Sequence, residues 1–260
     1  NSDSSCSFFL SAVFRQEMAN FFVSPIAYCV MAIFLLISGF FFWANLSLMS
    51  LVSLQAASDP MISQRINLTD VVLKPLGQNM SIVLLFLTPL LTMRLLSEEK
   101  KTGSIELLMT YPISDFSIVM GKFTAALAVL IIMLSGTFSY PVILWKLGGF
   151  DTGVLLTSYL GLIMMGAAFI GLGIFISLLT ENQIIAATVT FGLALLFWII
   201  SWTSSFVGPT SGYILKQMSI LERMDSFHKG ALSLSDLTFF IFFSAFFIFL
   251  SLRSLESMRW

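Results

Sequence analysis

The chain has 260 residues, 57% of them hydrophobic and only 10% charged, with a formal net charge of -1 and a mean hydropathy of +0.95. Soluble domains carry about 25% charged residues, so this composition excludes a water-soluble globule and marks an integral membrane protein. The charge balance, with no basic run, gives no footing for nucleic-acid binding. The cysteines, Cys6 and Cys29, form no CxxC, and nothing argues for a disulfide or metal framework. No basic n-region precedes a short apolar core, so no removable signal peptide is expected.

Residues 8–22 come first. Leu10, Phe14, Met18, Phe21 and Phe22 recur at helical spacing, with Arg15, Gln16 and Asn20 elsewhere on the wheel. That pattern predicts an interfacial elbow helix rather than a crossing one, ended by Ser24-Pro25. A span needs about 20 apolar residues. The densest candidates are 26–43, 75–93, 121–145, 154–180, 184–206 and 237–252. The first closes on Phe40, Phe41, Phe42 and Trp43, aromatics suited to the headgroup level. Between the first two, 45–79 is more polar and reads as a sizeable aqueous loop. Pro89 should kink the second span, a break that neighbouring helices can satisfy. Ser114-Asp115 can cap the third.

The fourth span carries Gly161, Gly166, Ala167, Gly171 and Gly173. Small residues let helix backbones approach in lipid, and Gly166, Ala167 and Gly171 are the predicted packing groove. Beyond the fifth span, Ile214, Met218, Leu221 and Met224 at helical spacing predict an amphipathic surface segment. The sixth span reads as short, with Arg253 snorkelling to the interface.

One stretch stands apart from this apolar body: RLLSEEKKTGSIELLMTYP, Arg94 to Pro112. Four consecutive charges, Glu98 to Lys101, would each cost roughly 2.5–3.5 kcal/mol at the bilayer centre. The island must lie in water. Yet Ile105, Leu107, Leu108 and Met109 give it an apolar part, which suggests a surface on which something docks. An ordinary solvated interhelical loop is the plain alternative.

Catalytic material is sparse. The single histidine, His228, sits beside Lys229 and Asp225 and reads as a surface residue. No HExxH, GxSxG or EF-hand pattern occurs. Gly121-Lys122 lacks the earlier glycine and the Ser/Thr of a phosphate loop, so the chain cannot hydrolyse ATP alone. The fourteen methionines read as packing filler rather than a metal path. The spans are nearly devoid of ionisable groups, whereas ion-coupled transporters carry intramembrane charges. Energy for transport would have to enter from outside the membrane body.

The run PLLTMRLLSEEKKTGSIELLMTYPIS, followed by Gly121-Lys122, resembles the signature region of ABC-2 type permeases, those of gliding-motility and copper-site-maturation systems among them. RQEMANFFVSPIAY, FHKGALSLSDLTFF and the terminal LESMRW agree with it, so the resemblance covers nearly the whole chain as one domain, 1–260. It implies an all-α polytopic fold with six transmembrane helices, an N-terminal elbow and a cytoplasmic coupling helix after the second span. It implies a half-transporter, an exporter subunit of the inner membrane with both termini cytoplasmic. A second permease chain would pair with it, and a cytosolic ATPase would carry the ATP and Mg²⁺. The coupling segment would be 98–112, with Glu98, Glu99, Gly103, Glu106 and Leu108 meeting the ATPase. A membrane anchor for a cytosolic partner, without transport, is the alternative.

Overall fold

The computed structural model describes residues 2–56, 67–104, 114–205 and 209–257, and every regular element among them is helical. Six helices are long and apolar enough to cross a membrane. The first helix, α1 (Ser2–Val23), stops at Ser24, and α2 (Pro25–Ala56) starts at the proline. Proline suits that position because a first-turn N–H has no intrahelical partner to lose.

Along α2, Ala27, Val30, Phe34, Ser38, Phe42 and Asn45 are buried, a stripe with steps of three and four. Leu36, Phe40 and Trp43 on the other side are exposed, as a lipid-facing surface requires. The described ends of the predicted loop at 45–79 are helical, since α2 runs on to Ala56 and helix resumes by Thr69. The serines of this stretch turn their hydroxyls onto their own helix. Ser47 donates to the Trp43 carbonyl (2.9 Å), Ser50 to Ser47 (2.7 Å) and Ser53 to Ser50 (2.8 Å). Leu46 and Met49 still pack on the core.

A π-helical turn at Thr69–Leu73 leads into α3 (Lys74–Thr92), which continues through Pro89 to end three residues later. The short α4 (Ser97–Thr102) holds the charged island. The third span begins at α5 (Asp115–Ser135), six residues earlier than the apolar run suggested. Ser114 caps it, accepting the Ser117 N–H at 3.3 Å. A 3-10 turn at Gly136–Phe138 separates α5 from α6 (Ser139–Leu147). Asp151 caps α7 (Thr152–Leu179) by accepting the Gly153 N–H at 2.8 Å. Asn182 caps α8 (Gln183–Ile199), which tightens into a 3-10 stretch at Ile200–Ser205.

The amphipathic segment after the fifth span is two helices, α9 (Pro209–Met218) and α10 (Ile220–His228), broken at Ser219. Its predicted apolar face is only partly the buried one. Met224 is buried, but Ile214 and Met218 are exposed; Ile220, Arg223, Phe227 and His228 complete the inner face of α10. The last helix, α11 (Leu234–Ser257), has 24 residues and is not short: it starts three residues before and ends five after the predicted 237–252.

The spans form two groups. In the second, third and fourth, 72%, 61% and 72% of the most apolar stretch is buried within the chain, against 28%, 28% and 22% in the first, fifth and sixth. The glycine-bearing α7 is therefore the axis of the molecule, packed against α3, α5, α8, α10 and α11.

Candidate functional site

The island is assembled where α3 and α7 end. Thr92 closes α3, and Leu96 and Ser97 open α4 with two N–H groups that no helical carbonyl can take. Both donate to Ser177 Oγ on α7, each at 3.0 Å, and Ser177 donates in turn to the Met93 carbonyl at 3.3 Å. Lys100 reaches the Leu178 carbonyl at 3.0 Å, a cation at the C-terminal end of α7. The island is thus fastened to the central helix by side chains from both.

Its carboxylates are also engaged with the body, which corrects the expectation that all four charges face water. Arg94 meets Glu98 through Nε (2.9 Å) and Nη2 (3.2 Å), and its Nη1 donates to Ser24 at 2.6 Å, at the joint between α1 and α2. Lys122 of α5 is 1% exposed, and its ammonium lies 2.6 Å from Glu17 Oε1 and 2.7 Å from Glu99 Oε1. One buried cation therefore joins the elbow, the third span and the island. Beside it Gly121 lets α1 and α5 close, since a Cβ there would come 2.6 Å from Val13 Cγ1. Of the four charges only Lys101 is exposed; the other three are part-buried.

Gly103 ends α4 with φ +71°, the left-handed region, and its N–H returns to the Lys100 carbonyl at 3.1 Å. Glu106 and Leu108, with Ile105, Leu107 and Met109, lie outside the described residues. The predicted packing residues do not share one neighbour. A Cβ on Gly166 would meet Leu130 of α5 at 2.2 Å, whereas one on Gly171 would meet the Ser244 carbonyl of α11 at 3.3 Å; Ala167 between them is half-buried. These glycines fit the chain's own helices together.

A second polar cluster forms at the opposite ends of α3 and α7. His228 is buried, not a surface residue: it is 1% exposed, with Nε2 3.1 Å from Ser81 Oγ and its ring against Gly77. Burial lowers its pKa from the ordinary 6.5 to about 4, with Asp225 opposing the shift. Arg223 pairs with Asp236 at 2.8 Å, donates to the Gln217 carbonyl and lies 4.1 Å over the Phe239 ring. Thr157 of α7 donates to the Phe227 carbonyl at 2.8 Å, locking α10 onto the axis. Among the described residues no three His, Cys, Asp or Glu side chains form a group able to hold a metal.

The family model described as ABC-2 family transporter protein matches residues 11–252, from inside the elbow to near the end of the last helix. The chain belongs to the ABC-2 transporter family. Among curated proteins no relative matches it. It is an ABC-2 permease, the membrane component of a transporter, from a family lacking an ATPase site of its own. The signature run identified in the sequence was enough to indicate this family. The residues that sequence reasoning missed in the permease are Glu17, Lys122, Ser24 and Ser177. Glu17 was detectable, because it falls between Phe14 and Phe21 on the stripe that the elbow turns inward.

Proposed function

We propose that this permease pairs with a second permease chain and exports its cargo by alternating exposure of a path between them. A cytosolic ATPase holding ATP and Mg²⁺ docks on the 98–112 island, with both termini on the cytoplasmic side of the inner membrane. The observation that carries the reading is the island's attachment. Arg94–Ser24, Glu99–Lys122–Glu17, Ser177 and Lys100–Leu178 tie one short helix to the elbow, the third span and the axial span. A displacement applied at α4 would reach all three together, which a solvated loop would not achieve.

The test compares variants reconstituted with their ATPase. Gly103→Val puts a β-branched residue at φ +71°, a strain of about 1–2 kcal/mol. The expected result is an ATPase that stays bound and hydrolyses ATP while cargo movement falls. Leu108→Asp should release the ATPase from the purified complex. Glu98→Lys sets a cation beside Arg94 and should impair transport while leaving the complex assembled, since a part-exposed pair contributes only about 0–1 kcal/mol. If all three leave ATP turnover, co-purification and export unchanged, the island is only a solvated loop and the coupling reading fails.

A further inference from the structure

Between α1, the start of α2 and the end of α3 lies a cavity of about 750 Å³. Its two ends differ. Val23, Ile26 and Leu90 give one apolar side, and all three are also exposed on the molecule's outer surface. Arg94, Glu99 and Lys122 give the other, with Glu17 and Glu98 beside them. Three carboxylates against two cations leave this end one negative charge in excess. Within this cluster one oxygen lacks a partner. Glu99 Oε1 takes Lys122, but Glu99 Oε2 is buried and has no hydrogen-bond partner among the described residues. A buried carboxylate oxygen demands a donor, and a charged donor is the strongest available. Lys122 directs two of its three N–H donors at Glu17 Oε1 and Glu99 Oε1, at 2.6 and 2.7 Å, and makes no hydrogen bond to Glu99 Oε2.

We propose that this cavity is a binding site for a membrane lipid with a primary-amine headgroup, its ammonium on Glu99 Oε2 and its acyl chain along Val23, Ile26 and Leu90. The exposed apolar side lies at the first turn of a membrane-spanning helix, so an acyl chain there would run beside lipid. The headgroup must carry N–H: a trimethylated ammonium has equal charge and no donor, so it cannot satisfy the orphaned oxygen. An anionic headgroup would meet a surplus of its own sign. The site stands on the cavity and the orphaned oxygen, independently of where an ATPase docks.

The experiment is native mass spectrometry of the protein purified from its membrane with its bound subunits. Dioleoyl phosphatidylethanolamine is titrated against dioleoyl phosphatidylcholine, and glycerophosphoethanolamine serves as the chain-free amine. Wild type should retain the ethanolamine lipid about tenfold or more over the choline lipid, as a charge-assisted bond predicts. Glu99→Gln should bring the two to parity, and Glu98→Gln, whose partner is Arg94, should keep the preference. Ala19→Trp narrows the cavity and leaves the ionised side chains in place; it should reduce retention of both lipids. Parity in wild type overturns the proposal whatever the variants do, and so does a preference that survives Glu99→Gln in protein of unchanged helix content. Competition by glycerophosphoethanolamine as strong as by the full lipid also overturns it, because the ligand is then a soluble amine.

Discussion

At the scale of single residues, the energetics centre on Lys122. An ammonium buried in an apolar body costs several kcal/mol in desolvation, and two carboxylates offset that only while both stay in place. Lys122→Met is therefore expected to lower stability by about 3–5 kcal/mol, by leaving the buried Glu17 and the part-buried Glu99 carboxylates without their cation. Adding Glu17→Gln and Glu99→Gln to it should recover most of that loss, since no uncompensated charge then remains; denaturant midpoints in detergent measure both. The second residue-scale prediction concerns pH. Folded His228 titrates at about 4, and in the unfolded chain near 6.5. Between these values the unfolded chain binds a proton that the folded chain refuses, so stability falls as pH drops from about 6.5 towards 4, by up to ~3 kcal/mol. His228→Gln should remove that step from the stability–pH curve. Neither residue could be placed from sequence. Lys122 follows a glycine at the edge of an apolar run and looks solvated, and His228 has charged neighbours on both sides. Burial in each case is decided by another element: the elbow folding back over Lys122, and α10 folding down onto Gly77 and Ser81.

At the scale of elements, apolar periodicity gave the spans and left their ends uncertain, for a physical reason. Hydropathy marks residues that avoid water, but a helix end is set by where backbone groups find partners. The Ser47, Ser50 and Ser53 hydroxyls bond back onto carbonyls of α2 itself, so these polar residues sit within the helix and do not end it with the apolar run. In contrast, Ser114, Asp151 and Asn182 ahead of their spans are cap residues, and each caps its helix. The glycines of α7 show the limit of pattern reading: composition signals close approach, and the partner helix has to come from the fold. A Cβ at Gly171 would come 3.3 Å from backbone of α11, which cannot yield as a side chain can. Gly171→Leu should thus destabilise the protein by about 1–3 kcal/mol through overpacking. Oligomer size should be unchanged, because this contact lies within the chain. A lowered melting temperature with an unaltered elution volume is the expected outcome; a change in oligomer size alone would assign Gly171 to a contact between chains.

At the scale of the whole molecule, a buried trio of spans is surrounded by three that present most of their surface outward. The two polar clusters occupy opposite ends of α3 and α7. The family, the helical class and the six spans were legible in the sequence, through composition and the signature run. The division into inner and outer spans was not, since all six are similarly apolar and burial inside protein looks like burial in lipid. The two clusters give a topology test. With Cys6 and Cys29 replaced, a cysteine at Ser104, beside the island, should react only with reagent that reaches the cytoplasm. One at Leu232, exposed in the turn before α11, should react only from the other side. Labelling of both from one side would contradict the six-span arrangement.

The Lys122 cluster also bears on how the chain is made. Both partners of this lysine precede it in sequence, Glu17 by 105 positions and Glu99 by 23. Synthesis runs from the N-terminus, so the elbow and the island have left the ribosome before the third span begins to enter the bilayer. The cation does not have to wait for later segments to be neutralised. The lysine that would hinder insertion of an isolated span can instead guide it, by drawing the incoming helix to the one place where two carboxylates are already present.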